Sequence, residues 1–233
     1  MEGPLVIAHR GASHGLIDNS REAFELAIEV RADMIEFDLR RTADDQLIAF
    51  HDAQAGGRPI GSLARDEVAA AVGHRPLLLA EVLELAQGRI GLDIELKEDG
   101  YVLDVVGSVR ERFEPGDVVI TSFIDDVIAT ARREWPEVRA GLLAELGSAS
   151  GDTPGQLVER ARGCGATAVA LDHALVLRDG LHWTRESDLD AYVWTVNEPE
   201  LMRTMLADPW LTGLITDVPA RAIELREEIA PSR

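Results

Sequence analysis

The feature that most constrains this chain is an alternation that runs almost from end to end. Short apolar runs, the right length for strands, recur at Leu5–Ala8, Met34–Leu39, Leu47–Phe50, Ile90–Leu96, Val118–Thr121, Ala140–Leu143, Ala168–Leu171, Tyr192–Val196 and Gly213–Thr216. Amphipathic patterns lie between most of them. Arg21–Val30 places Ala23, Phe24, Ala27 and Ile28 at helical spacing, and Tyr101–Phe113 repeats Val102, Val105, Val106 and Val109. Further helices fit Leu79–Ala86, Asp126–Trp135, Pro154–Gly163, Pro199–Leu206 and Ala220–Ile229. Near-continuous apolar strands separated by helices predict a parallel sheet covered by helices, because strands buried on both faces have no polar side.

The spacing of the second and third runs narrows the topology. Seven residues, Arg40 to Gln46, separate them and include the turn-forming pair Asp44-Asp45. A parallel crossover needs about 10–12 residues, so these runs form a hairpin whose second arm folds back over the barrel mouth. Eight strands remain. The chain of 233 residues is close to the ~250 typical of such barrels. The expectation is α/β: a (β/α)8 TIM barrel with a β-hairpin after the second strand and only a short insertion, forming one domain over residues 1–233. A doubly wound open sheet is the competing topology. Gly147–Gly155 reads as a single loop.

Composition limits the partners. With 23 basic and 42 acidic residues the net charge is −19, which repels nucleic-acid phosphates and anionic membranes over much of the surface. An anionic substrate therefore needs a local positive device. Cys164 is the only cysteine, so an intramolecular disulfide or a cysteine metal cluster is excluded; it reads as a small buried filler. Met1 to Pro4 lead straight into the first strand, without a basic start and apolar stretch. No apolar run approaches the ~18 residues of a membrane span. These features predict a cytoplasmic enzyme with no stable membrane anchor and no nucleic-acid partner. They set no oligomeric state.

The chemistry is concentrated where strands end. In a (β/α)8 barrel the C-terminal strand ends and the loops after them form the active site. The first strand ends in His9-Arg10-Gly11, and the second carries Glu36 and Asp38, two apart and so on one side. The hairpin arm ends in His51-Asp52, and the next strand carries Glu95 and Lys97. Later strands end in Ser122-Phe123, Trp194-Thr195-Val196-Asn197 and Thr216-Asp217. Three acids converging on one barrel mouth repel each other by several kcal/mol per close pair. They protonate, pair with Arg or Lys, or hold a cation. Glu36, Asp38 and Glu95 offer only oxygen ligands, which suit one hard divalent ion, Mg²⁺ or Ca²⁺.

His9 and His51 are candidates for general acid and base around a phosphate, each having an ordinary pKa near 6.5; the alternative is two satisfied core histidines. Asp52 either orients an imidazole or caps the hairpin. Arg10 and Lys97 fit phosphate oxygens or, alternatively, structural ion pairs. His14, His74, His173 and His182 read as structural or surface residues, although His173 follows a strand end.

These motifs, in this order, resemble the glycerophosphodiester phosphodiesterases, relatives of the phosphatidylinositol-specific phospholipase C barrels, from Val6 to about Ala220. The family's His-Arg-Gly stands at residues 9–11, its Glu-x-Asp at Glu36 and Asp38, and its Thr-x-Asp run into His-Asp at Thr42 to Asp52. Its Glu-x-Lys is Glu95 and Lys97, its Ser-Phe is Ser122-Phe123, and Trp-Thr-Val-Asn and Ile-Thr-Asp-x-Pro stand at 194–197 and 215–219. The resemblance implies hydrolysis of a small-molecule glycerophosphodiester to sn-glycerol 3-phosphate and an alcohol. Glu36, Asp38 and Glu95 would hold the metal, and His9 and His51 would move protons through a cyclic phosphate. Arg10 and Lys97 would contact phosphate, and Trp194 and Phe123 the glycerol or leaving group.

Two departures stand out. The family's Pro-Glu-Asn-Thr is Ile17-Asp18-Asn19-Ser20 here. Only 37 residues, Ala53 to Arg89, separate His51-Asp52 from the next barrel strand, and the family's usual Arg-Thr-Thr-Asn-Gly-like segment is missing. The leaving group is left open. Alternatives on the same site are a lysophospholipid-cleaving phosphodiesterase and a catalytically silent barrel that binds a phosphorylated ligand.

Overall fold

Alternation along the second apolar run decides which way its side chains point. Ile35, Phe37 and Leu39 join a core with Phe24, Ala27, Val82 and Leu83 of the covering helices, so Glu36, Asp38 and Arg40 between them face the other side. The structure, a computed structural model, describes residues 3–146 and 153–229. Along the chain come β1 (Leu5–His9), α1 (Arg21–Glu29), β2 (Met34–Arg41), β3 (Leu47–Ala49), the two-residue strands β4 (Gln54–Ala55) and β5 (Arg58–Pro59), α2 (Arg65–Val72) and α3 (Leu79–Ala86). They are followed by β6 (Gly91–Leu96), α4 (Val102–Arg110), β7 (Val118–Ser122), α5 (Asp125–Glu134), β8 (Arg139–Ala144) and α6 (Pro154–Cys164). The chain then continues through β9 (Ala168–Asp172), α7 (His173–Asp179), α8 (His182–Glu186), β10 (Asp190–Trp194), α9 (Pro199–Leu206), β11 (Gly213–Thr216) and α10 (Pro219–Ile229).

Eight strands pair in parallel in the order β1-β11-β10-β9-β8-β7-β6-β2, and β1 also pairs with β2. The sheet therefore closes, and the open-sheet alternative is excluded. The hairpin is present: β3 runs antiparallel to β2, with Leu39 opposite Ala49 and Arg41 opposite Leu47. Its turn is built by Thr42, whose hydroxyl accepts from the Gln46 amide at 3.0 Å and donates to Asp44 at 2.6 Å. Asp45 takes the left-handed conformation at φ 59°, which Asp tolerates better than most residues.

Two apolar layers fill the molecule. One lies between strands and helices. The other lies inside the barrel, where Ile7, Met34, Val119, Leu143, Tyr192 and Ile215 pack together. Sequence periodicity does not show α2, α7 and α8. All three are short, and α2 buries only Arg65 and Val68. Residues 147–152 of the expected loop lie outside the described residues, while Pro154 and Gly155 already belong to α6. The segment after His51-Asp52 is short: a small core of Ile48, Ala55, Ile60, Leu63 and Val68 precedes the barrel helix α3. Cys164 is buried, as a filler would be. Among the described residues no helix is long and apolar enough to cross a membrane.

Candidate active site

The loop after β1 is shaped by backbone that only certain residues accept. Arg10 is left-handed at φ 54° and Gly11 sits at φ 85°. A Cβ on Gly11 would stand 2.6 Å from the Ala23 carbonyl carbon, so glycine is required for α1 to pack against the loop. The Arg10 amide donates to Glu36 Oε2 at 2.9 Å, and the loop returns so that the Asn19 amide donates to the Arg10 carbonyl. Asn19, itself left-handed, then grips Asp38: its Nδ2 donates to Oδ2 at 2.9 Å and its Oδ1 accepts from the Asp38 amide at 3.3 Å. Asp18, in place of the family's Glu, accepts from the Arg10 guanidinium at 2.8 Å. The shorter acid therefore reaches Arg10.

Glu36, Asp38 and Glu95 bring a carboxylate oxygen each to within 4.8 Å of one another. Burial would raise the Asp38 carboxyl, but Lys97 Nζ at 2.9 Å, Arg10 Nε at 3.3 Å and Asn19 hold it at about 2. Glu36 is pushed well above the ordinary range by burial and by the charges of Asp38, Asp93 and Glu95. Burial also pushes Glu95 up to about 7, although Lys97 stands 2.6 Å away. Asp93, 1% exposed, is raised to about 7 by burial despite the hydrogen bond that Thr121 Oγ1 donates at 3.0 Å. Its second oxygen has no hydrogen-bond partner among the described residues. A hard divalent ion relieves such crowding. The three-carboxylate set of Glu36, Asp38 and Glu95 fits one by donor type and spacing.

Each histidine has a carboxylate behind it. His9 Nδ1 lies 2.6 Å from Asp217 Oδ1, and its Nε2 lies 4.0 Å from Glu36. Burial would raise Asp217, but the hydrogen bonds and charge of His9, together with donors on Asn197 and Ser13, hold it below the usual range. His51 Nδ1 lies 2.9 Å from Asp52 Oδ1. Asp52 thus pairs with its own neighbour's imidazole. Burial, helped by the charges of Lys97 and Arg10, lowers His51 below its ordinary 6.5 against the pull of Asp38 and Asp52. A carboxylate at Nδ1 assigns the proton of a neutral ring there, so Nε2 is the nitrogen that takes a proton when the ring is neutral and gives one when it is protonated. The backbone of His51 is clamped too: Arg40 Nε donates to its carbonyl at 2.9 Å, while Arg40 also binds Glu98 at 2.5 Å. Glu98 is fixed in turn through its amide to the Tyr101 hydroxyl, which donates to the Leu39 carbonyl.

These groups surround a cavity of about 130 Å³ lined by His9, Arg10, Glu36, His51, Glu95, Lys97, Phe123 and Trp194, with Asp93, Thr121, Leu143, Glu145 and Ile215. Phe123, 37% exposed, meets Trp194 edge-to-face at 5.9 Å and 89°. Both aromatics thus line the cavity. Asp38 is not among the lining residues and is engaged by Arg10, Lys97 and Asn19.

Comparison with known proteins matches the pattern that defines the glycerophosphoryl diester phosphodiesterase family to residues 9–221. The chain belongs to that family. A glycerophosphodiester phosphodiesterase from Caldanaerobacter subterraneus subsp. tengcongensis is 27% identical over 243 residues, covering 95% of this chain and 97% of its own. The crystal structure of a glycerophosphodiester phosphodiesterase from Parabacteroides distasonis superposes with a TM-score of 0.81 at 25% identity, covering 99% of each chain. One from Thermotoga maritima, at 23% identity, shares the fold with a TM-score of 0.81 over 97% of this chain and all of its own.

Within this member of the family, sequence reasoning overlooked several groups that the structure brings to the cavity or its supports. Asp93 carried a signal, since it stands two before Glu95 on one strand and so on the same side. Asp217 was visible as a strand-end acid, but its pairing with His9 depends on barrel closure. Glu145, directly after β8, and the Arg40 clamp had no motif to mark them. His173 does not line the cavity.

Proposed function

We propose that this family member is a metal-dependent glycerophosphodiester phosphodiesterase, releasing sn-glycerol 3-phosphate and an alcohol. The observation that carries the reading is the pair of carboxylate-backed imidazoles sharing one cavity with the Glu36, Asp38 and Glu95 cluster. Those three residues would hold one divalent cation, Mg²⁺ or Ca²⁺. When bound, it supplies Lewis acidity and offsets the charge of the phosphate.

The chain's own residues do the rest. One imidazole Nε2 takes the proton of the glycerol 2-hydroxyl as that oxygen bonds to phosphorus. The other imidazole enters protonated on both nitrogens and gives its Nε2 proton to the departing alkoxide as the P–O bond breaks, leaving a cyclic phosphate. Water then opens the ring with the proton roles reversed. Arg10 and Lys97 face the phosphate oxygens, and the Phe123–Trp194 wall excludes water on the opposite side. Burial lowers His51 and so favours it as the base of the first step; with His51 in that role, the acidic limb of kcat/KM is expected below 6.5.

The test uses metal-stripped protein, glycerophosphocholine, and Mg²⁺ or Ca²⁺, with sn-glycerol 3-phosphate as the readout. Release should require the cation, and His9→Ala or His51→Ala should abolish turnover while calorimetric cation binding persists. Turnover by the double variant overturns the scheme.

A further inference from the structure

The cavity has two walls of opposite character. Toward β1, β2 and β6 stand Arg10 and Lys97; toward β7, β8 and β10 stand Phe123, Glu145 and Trp194. Phe123 follows the last residue of β7 and Glu145 the last residue of β8, and these strands are neighbours. The Trp194 ring is locked by its Nε1–H donating to the Ala170 carbonyl at 3.0 Å. The edge-to-face pair therefore presents fixed π surface at the cavity. Glu145 is exposed and makes no ion pair among the described residues. It differs in this from Glu95, which is held by Lys97, and from Glu36 and Asp38, which belong to the same carboxylate set. Arg160, whose guanidinium reaches the Phe123 carbonyl, is engaged by Asp125 at 2.6 Å.

Aromatic faces beside an unpaired carboxylate have a complementary ligand, which is an ammonium group. We infer that the Phe123–Glu145–Trp194 wall is the leaving-group subsite, and that it selects glycerophosphodiesters whose alcohol bears a positive charge, of the choline or ethanolamine kind, over those with a neutral polyol. This rests on the hydrolytic reading above. The two walls then divide one substrate between them. The phosphate lies against Arg10 and Lys97, and the ammonium lies across the cavity against the aromatic pair with Glu145 as its counter-charge. A neutral polyol gains nothing from the π surface, and an anionic alcohol is repelled by Glu145. The net charge of −19 favours the same selection at longer range.

The experiment compares kcat/KM for glycerophosphocholine and glycerophosphoglycerol on the cation-loaded protein, for the native chain, Glu145→Gln and Glu145→Lys. The native chain should prefer the choline ester. Glu145→Gln should lower that preference by about three- to tenfold, chiefly through KM, and Glu145→Lys should lower it further. Choline chloride should bind the native protein, by calorimetry, more tightly than it binds Glu145→Gln. Hydrolysis of both esters with a preference that Glu145→Gln and Glu145→Lys leave unchanged overturns the subsite while sparing the hydrolytic reading. Hydrolysis of neither ester overturns the hydrolytic reading, and the choline titration then still decides the subsite. Equal choline binding by native and Glu145→Gln protein overturns it.

Discussion

The hydrogen bond between Asp217 and His9 offers the sharpest single perturbation, Asp217→Asn. Every group that faces the Asp217 oxygens is a donor: His9 Nδ1 at 2.6 Å, Ser13 Oγ at 3.2 Å and Asn197 Nδ2 at 2.5 Å. An asparagine has one accepting oxygen, so its NH₂ must face a donor on one side. If the oxygen keeps Asn197, the NH₂ meets His9 Nδ1, and the imidazole must turn Nδ1 into an acceptor and carry its proton on Nε2, the nitrogen on the Glu36 side. The ring then presents the wrong tautomer for taking a proton. A hydrogen bond to a charged group contributes about 1.5–3 kcal/mol, which corresponds to about a 10- to 150-fold loss of kcat. The assay is release of sn-glycerol 3-phosphate from glycerophosphocholine at saturating cation. KM and calorimetric Mg²⁺ affinity should stay within about twofold, because Asp217 is not in the Glu36, Asp38 and Glu95 set. A kcat within twofold of the native value would refute the role given to this pair.

Three other outcomes are expected. Arg40→Gln frees the His51 carbonyl and Glu98; kcat should fall about 5- to 30-fold with cation affinity unchanged, and an unaltered kcat would show that the clamp is dispensable. In the cation-free protein Glu95 and Asp93 titrate at about 7 when folded, above their ordinary 4.5 and 3.8. The folded state therefore holds protons that the unfolded chain releases, and stability declines as pH rises from about 4 to about 7. Melting in chelator should be lower at about pH 8 than at about pH 5, excess Mg²⁺ should narrow the gap, and an opposite slope sinks the assignment. Gly11→Ala forces a side chain at φ 85° against the Ala23 backbone and should cost roughly 2 kcal/mol or more in urea unfolding. A loss under 0.5 kcal/mol would mean that α1 shifts freely.

Local chemistry was the legible part of this chain. The seven-residue gap before Leu47 excluded a crossover and so specified the hairpin. Period-two spacing put Glu36 with Asp38, and Glu95 with Lys97, on shared sides. What stayed hidden required distance information. Asp217 and His9 are 208 residues apart and meet only because β1 pairs with β11. Glu145 lines the same cavity as Phe123 because they follow the neighbouring strands β8 and β7, and neither residue hints at the other in sequence. Arg65–Val72 escaped notice because its run of alanines gives little amphipathic contrast.

That 208-residue separation also bears on the order in which the molecule acquires its abilities. Glu36, Asp38 and Glu95 lie on β2 and β6, which are adjacent in the sheet and much nearer each other in the chain than β1 is to β11. The support for His9 arrives only with the last strand, across the seam where the barrel closes. Long-range parallel pairing is slow relative to local pairing. A refolding or newly synthesised chain would therefore recover its grip on a cation before it recovers turnover, and the lag between the two would time the closing of the barrel.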